Sequence, residues 1–243
     1  MPRALVLALV LASSQGPARP RDEVPVLVEL FTSEGCSSCP PADRLLAELL
    51  EAPPPGTRVI ALGEHVDYWD ELGWKDRFSR AAFTRRQEAY ASALGEGTVF
   101  TPELVVGGRH SAVGGDLAAA RRAIASAASE AEGHLELSLA RQGEKGLAVV
   151  VRGAWAKGVP AEVFLALIRD HASSEVTGGE NRGRTLAHVA VALSLEALGR
   201  GVGAFEGQTV LEGARPHGAD RLVAFVEEPN GGPVHAVAAL PLP

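Results

Sequence analysis

Residues 24–50 constrain the fold of this chain more than any other segment. Residues 24–31 (VPVLVELF) are mostly apolar and β-branched, which is typical of a buried strand. Residues 36–39 read Cys-Ser-Ser-Cys, and apolar residues then recur at helical spacing through residue 50. Proline is tolerated in a helix only within the first turn, and Pro40 and Pro41 directly follow the second cysteine. The sequence therefore predicts a buried strand, a short loop and two cysteines at the start of a helix.

Further elements alternate along the first half of the chain. Residues 57–66 predict a second strand, and residues 75–94 predict a second helix. Residues 103–113 contain two apolar runs around a Gly-Gly turn, which is typical of a hairpin. Asp116 is a candidate N-cap for a last helix. The order strand-helix-strand-helix-hairpin-helix is the minimal thioredoxin arrangement, with parallel strands and helices on the sheet faces.

The second half of the chain has a different pattern of apolar residues. Seven short apolar runs are separated by turn signals, with little sign of helix. They are residues 135–139, 147–151, 163–168, 185–195, 208–211, 222–226 and 234–240. Residues 185–198 could also form a helix. The predicted fold class is an α/β thioredoxin-like domain, residues 22–132, followed by a β-rich, sandwich-like domain, residues 133–243.

The N-terminus has the pattern of a secretory signal peptide. Arg3 precedes a short apolar run and small residues follow, so we assign residues 1–18 to the signal and expect a periplasmic or secreted protein. No segment is long and apolar enough to span a bilayer, and the mature protein is not expected to be membrane-embedded. The net charge of -7, with no basic run, argues against nucleic acid as a partner.

The two cysteines are placed for exchange rather than for stabilising the fold. A disulfide between Cys36 and Cys39 would close almost no loop, and loop closure is the main source of disulfide stabilisation. A helix N-terminus favours a thiolate, which is the attacking species in disulfide exchange. We therefore predict that Cys36 is the nucleophile and that Cys39 resolves the mixed disulfide. Ser37 and Ser38 lie between them as candidate substrate contacts.

Two further positions are expected near the cysteines. Thr101 and Pro102 precede the hairpin, and a cis bond there would place the Thr101 backbone beside the sulfurs as a substrate contact. His65 ends the second strand, and the carboxyl ends of parallel strands line sites in such sheets. His65 is thus a candidate substrate contact that tunes the thiolate, and the alternative is that residues 65–70 form an aromatic lid that packs the domain interface. Residues 180–183 could approach this site, but a turn in a surface loop is the simpler interpretation.

Several of these segments resemble known families. Residues 29–31, the Cys-Ser-Ser-Cys motif and Thr101-Pro102 resemble the thioredoxin superfamily, and the position of Glu29 then implies a buried acid that relays the proton of the resolving thiol. LVELFTSEGCSSCPPAD, HVDYWDELGWKDRFS, FTRRQEAY, TPELVVGG and GENRGRTLAH resemble the exported family catalogued as domain of unknown function 1223. This second resemblance implies a family and a fold, and it implies no established role.

Three functions are compatible with these residues. The leading one is an exported thiol–disulfide oxidoreductase whose partners are protein thiols, protein disulfides or a redox protein. The alternatives are a copper or zinc protein using both thiolates and His65, and a non-catalytic interaction module that keeps the fold. No phosphate loop, dinucleotide fingerprint or paired-histidine zinc helix is visible, so the sequence predicts no cofactor.

Overall fold

The computed structural model describes residues 23–142, 146–213 and 215–243. The predicted signal peptide, residues 1–18, lies outside these described residues. Strands outnumber helices in the described part of the chain. The helices are α1 (Pro40–Glu51), α2 (Ala81–Ala93) and α3 (Leu117–Glu130), with a short 3-10 helix at Pro216–Gly218. The strands are β1 (Val24–Thr32), β2 (Thr57–His65), β3 (Glu103–Val106), β4 (His110–Val113), β5 (His134–Gln142), β6 (Gly146–Ala154), β7 (Pro160–Glu175), β8 (Thr185–Val202), β9 (Ala204–Glu212), β10 (Arg221–Glu227) and β11 (Val234–Pro241).

Local sequence signals explain the helix starts. Helix α1 begins with its two prolines, and Cys39 occupies the N-cap position. Helix α3 begins after Asp116, whose carboxylate accepts a hydrogen bond from the Ala119 N–H at 2.9 Å, as the sequence predicts. No helix in the described ranges is long and apolar enough to cross a membrane.

Eight strands from both halves of the chain form one mixed sheet. Its order is β11-β10-β7-β8-β2-β1-β3-β4, and β5, β6 and β9 form a second, three-stranded sheet. Strand β1 is parallel to β2 and antiparallel to β3. Strand β8 is parallel to β2 and pairs with it at Gly63 and Val191. The hairpin β7–β8 from the second half therefore extends the sheet that the first half begins.

This topology corrects the predicted fold class. The seven strands predicted after residue 133 are present as β5 to β11, and residues 185–198 lie in a strand. However, β7, β8, β10 and β11 belong to the large sheet, so the structure is not a thioredoxin-like α/β domain followed by a separate β-rich domain. The prediction was wrong because strand periodicity reports which faces are buried and says nothing about which edge a strand joins.

Successive side chains of strand β7 pack into two different hydrophobic cores. Val163, Leu165 and Leu167 of β7 pack with residues of β5 and β6 beneath the three-stranded sheet. Ala166 and Ile168 face the opposite core, which contains the apolar faces of α1 and α3. Because strand residues alternate between faces, one strand can complete both cores. The second half of the chain is thus packed into the first half along the length of β7.

Gly63 permits the contact between the halves. A Cβ atom on Gly63 would lie 3.1 Å from the Val189 carbonyl oxygen of β8. A glycine within a strand often marks the close approach of another backbone. Gly63 thus lets β8 lie directly against β2, close to the carboxyl end of β2 at His65.

Candidate functional site

The two cysteines form a disulfide at the N-terminus of α1. Cys36 and Cys39 are bonded to each other, and neither side chain is exposed to solvent. Ser37 and Ser38 between them are exposed, and the Ser38 hydroxyl lies 3.3 Å from the Cys36 sulfur. The sequence correctly places the pair at the helix start, and the structure buries both sulfurs there.

The Thr101–Pro102 peptide bond is cis and lies beside the first turn of α1. A side chain on Gly114 would contact Ala42 of α1 and Pro102 at once, at 2.9 and 3.1 Å. Pro102 is buried, and the Thr101 hydroxyl accepts a hydrogen bond from the Trp69 indole at 2.8 Å. The structure therefore brings Thr101 and Pro102 to the helix that carries the cysteines.

Five buried titratable side chains lie around the loop that leads to Cys36. They come from the loop, from α1, from β2 and the segment after it, and from β8; they are Glu34, Asp43, His65, Asp76 and His188. His65 Nδ1 lies 2.6 Å from Asp76 Oδ2, and the same oxygen accepts a hydrogen bond from the Glu34 backbone N–H at 2.8 Å. His65 is thus a structural neighbour of the cysteine loop, held by an acid. Its predicted role as a substrate contact stays a prediction.

His188 joins this cluster from β8. Its Nε2 lies 3.4 Å from Glu34 Oε1 and its Nδ1 lies 3.8 Å from Asp43 Oδ2, while its ring packs edge-on to His65 at 4.8 Å. Asp43 also accepts a hydrogen bond from the Thr32 hydroxyl at 3.2 Å. Asp43 follows Cys39 by four residues on α1, so both side chains lie on one face of the helix. One imidazole therefore links the loop before Cys36 to the helix after Cys39.

The cluster holds opposite charges in a buried place. Burial alone would lower the pKa of His188, but the carboxylates of Asp43 and Glu34 outweigh burial and raise this pKa to about 9. Burial raises the pKa of Glu34, yet the nearby His188 and the Trp74 indole bring that pKa below its usual value. Burial likewise raises the pKa of Asp76, but the neighbouring His65 lowers it more strongly, so this pKa lies below its usual value. At neutral pH Glu34, Asp76 and His188 are therefore charged, and these three groups form an ionised network around the cysteine loop.

The loop between β7 and β8 covers the cysteine loop. The Asn181 amide donates to the carbonyl oxygens of Glu34 and Cys36 at 2.9 and 2.8 Å, and Asn181 is fully buried. The Glu180 carboxylate accepts from the Ser37 N–H at 2.9 Å, and hydrogen bonding by Ser37 lowers the pKa of Glu180. Residues 180–183 do form an exposed turn, as the simpler interpretation predicts, but Asn181 within it is buried and contacts the cysteine loop.

Glu29 is buried, as predicted, but its partners lie on α2. Its carboxylate accepts from Arg86 Nε at 2.5 Å and from the Tyr90 hydroxyl at 2.6 Å. Arg86 also binds Glu227 of β10 at 2.9 Å, and Glu64 lies 3.6 Å away. Burial and the neighbouring Glu29 raise the pKa of Glu64 well above its usual value, and neither Glu64 oxygen has a hydrogen-bond partner among the described residues. The proton-relay role of Glu29 stays a prediction.

A second buried acid lies next to the cis proline. Glu103 accepts hydrogen bonds from Gln87 at 2.6 Å and from Ser111 at 3.0 Å. Burial raises the pKa of Glu103 to about 7, although both hydrogen bonds lower it. Gln87 also donates to the Phe100 carbonyl at 2.6 Å. Gln87 is therefore an amide that fastens the segment before Pro102 to α2.

The metal alternative finds no ligand set in the described ranges. No group of three or more His, Cys, Asp or Glu side chains there is arranged to hold a metal ion. Both sulfurs proposed as ligands are used in the disulfide, and His65 Nδ1 is occupied by Asp76.

Comparisons with other proteins bear on this site. The crystal structure of protein AGR_C_4864 from Agrobacterium tumefaciens is similar with a TM-score of 0.70 and 26% identity, over 90% of this chain and 94% of that one. HBP35 of Porphyromonas gingivalis shares the fold, with a TM-score of 0.67 and 18% identity, over 92% of this chain and 77% of that one. No curated protein matches the chain. The family described as "Protein of unknown function (DUF1223)" matches residues 27–227, and this range includes the cysteines, the cis proline, Asn181 and His188. The chain therefore belongs to the DUF1223 family.

Proposed function

We propose that this protein is a thiol–disulfide oxidoreductase that uses the Cys36–Cys39 pair. The observation that carries the proposal is the convergence of separate segments on this one disulfide: the cysteine loop, the segment after β2, Thr101-Pro102 and the β7–β8 loop. A disulfide across two intervening residues contributes little loop-closure stabilisation. So many buried polar contacts around it are better explained by control of its reactivity.

The exchange step follows from the position of the sulfurs. A thiolate of a partner dithiol attacks the Cys36 sulfur, the Cys36–Cys39 bond breaks, and Cys39 leaves as a thiolate with the bonding electrons. The second partner thiolate then attacks the mixed disulfide and releases Cys36. The partner is oxidised to a disulfide and the pair is reduced by two electrons. The reverse sequence oxidises the pair.

The surroundings suit the Cys39 thiolate. Cys39 is at the N-cap of α1, where unpaired N–H groups and the helix dipole favour an anion. Side chains on a helix lean toward its N-terminus, so Asp43 leans toward Cys39 one turn earlier. The protonated His188, which lies 3.8 Å from Asp43, is therefore the group in this network that can supply a proton to the Cys39 thiolate.

Burial of both sulfurs requires an opening step before exchange. Among the described residues, the hydrogen bonds from this loop to the cysteine loop are few: the Asn181 amide on the Glu34 and Cys36 carbonyls and the Glu180 carboxylate on the Ser37 N–H. Ser37 and Ser38 are exposed, so a partner can dock on them before the loop opens. Release of the β7–β8 loop would then uncover the Cys36 sulfur.

The test measures disulfide exchange with a dithiol peptide and with glutathione buffers of defined potential. We expect the oxidised protein to exchange, and C36S and C39S to lose turnover. We expect E180A to react faster, while E175A, which removes an exposed acid of the same hairpin, keeps the original rate. Absence of exchange in the wild type and in E180A, or full turnover by C36S, would refute the proposal.

The complete burial of the disulfide favours a second candidate, a non-catalytic interaction module with a structural disulfide. That function predicts a pair that stays oxidised in reducing glutathione buffers and does not respond to E180A. It also predicts that the C36S/C39S double variant folds less stably but keeps its binding activity. The same exchange experiment therefore separates the two functions.

A further inference from the structure

A cluster of arginines lines an open cavity on the far side of Phe78 from the buried histidines. The cavity has a volume of about 430 Å³ and is lined by Arg77, Phe78, Arg80, Arg169, Leu193 and His217. The Phe78 ring lines this cavity and also packs against the buried histidines, 5.3 Å from the His65 ring and 6.1 Å from the His188 ring. This arginine cavity is therefore distinct from the disulfide site.

The arginine cavity carries uncompensated positive charge. Within the described ranges, no carboxylate oxygen lies within 4.0 Å of the guanidinium nitrogens of Arg77, Arg80 or Arg169. Two acids near Arg169 are engaged elsewhere: Asp170, the next residue, binds Arg221, and Asp220, which accepts from the Asp170 backbone N–H, binds Arg215. A protein with a net charge of -7 thus presents three unpaired guanidinium groups around one cavity.

Backbone carbonyls hold these guanidinium groups in place without neutralising them. Arg77 donates to the Ser173 carbonyl at 2.6 Å, and Arg169 donates to the carbonyls of His217 and Gly218 at 3.0 and 3.3 Å. Arg80 donates to the carbonyls of Arg77 and Ser79 at 3.3 and 2.7 Å. Each guanidinium has five N–H donors, so several remain free for a ligand. Side chains fixed before binding lose less entropy when a ligand binds.

The chemistry of the cavity identifies the class of ligand. Guanidinium groups pair with carboxylate and phosphate oxygens through two parallel hydrogen bonds. Three such groups match a ligand with two or more negative charges, and Phe78 and Leu193 offer an apolar wall to its carbon skeleton. We propose that the arginine cavity is a binding site for a small organic oxyanion that bears at least two carboxylate or phosphate groups. This proposal does not depend on the redox function.

Calorimetric titration of the oxidised full chain with citrate and with inorganic pyrophosphate tests the proposal. We expect saturable 1:1 binding of at least one probe, with acetate binding far more weakly. Binding of citrate alone identifies a polycarboxylate ligand, and binding of pyrophosphate alone identifies a phosphate ligand. Loss of one charge-assisted pair in R77A or R80A should weaken binding about tenfold.

Two further variants decide whether the cavity itself is responsible. R122A removes an exposed arginine of α3 and should bind as the wild type does. R169K keeps the charge but not the planar fork, so it should weaken binding while the protein stays folded, as checked by circular dichroism. No saturable binding of either probe, or equal weakening by R77A and R122A, would overturn the proposal.

Discussion

Replacing His188 should remove a large pH-dependent part of the stability. In an unfolded chain a histidine titrates near pKa ~6.5, whereas in the folded protein the pKa of His188 is about 9. One pKa unit corresponds to about 1.4 kcal/mol, so the raised pKa contributes on the order of 3 kcal/mol. The pKa is raised on folding, so this contribution is fully present below pH ~6.5 and is lost as pH rises through 9.

The measurement is urea unfolding of the wild type and H188Q, without reductant, at pH 6 and pH 10. The free-energy difference between the two proteins should shrink by about 3 kcal/mol between these pH values. Other titrating groups cancel in that difference, apart from Glu34, Asp43 and His65, which face His188, and Asp76, which binds His65. H171Q, at an exposed position of β7, should show no such change.

An independent readout protects this prediction if H188Q folds poorly. Removing the imidazole leaves Glu34 and Asp43 buried without their cation, which can cost several kcal/mol. The titration of His188 in the intact protein, followed by NMR of its ring protons, should then give a midpoint well above that of an exposed histidine. A midpoint near pH ~6.5, or a stability difference that does not vary with pH, would refute the reasoning.

Three more predictions concern buried groups away from His188. The pKa of Glu103 is raised to about 7. The free energy of unfolding of the wild type, measured in urea, should therefore fall by about 3 kcal/mol as pH rises from ~4.5 to ~7, and that of E103Q should not. Glu64 is also protonated more readily in the folded state, so E64Q should gain stability relative to the wild type as pH rises above ~4.5, and a constant difference would contradict this. G63V places side-chain atoms against β8 and should lower the unfolding free energy by about 1–3 kcal/mol or more, while unchanged stability would mean that β2 and β8 do not pair.

Local signals in the sequence were sufficient for the cysteine site. Prolines 40 and 41 fix the start of α1, and that start determines where the cysteines lie. The order of strands and helices up to residue 132 is likewise present, because each element carries its own periodicity. These local signals do not determine which strands pair or whether the sulfurs are buried.

Contacts distant in sequence account for what was missed. Gly63 and Val191 pair across the two halves, and only the glycine inside a strand pattern hinted at a neighbouring backbone. Asn181 reaches the Cys36 carbonyl from the β7–β8 loop, and a single asparagine in a turn-like segment is indistinguishable from an ordinary loop residue. Arg86 draws Glu29 toward α2, and the strand pattern alone could not distinguish that partner from a cysteine.

The pairing of β2 with β8 has a consequence for the order in which the protein is made. Residues up to 65 leave the ribosome long before β8, so the edge of β2 has no strand beside it during early synthesis. An unpaired strand edge readily pairs with another chain. The same interval leaves Cys36 and Cys39 without Asn181 and His188 over them, so cellular oxidants and thiols meet an open pair in the nascent chain and a covered one in the finished protein.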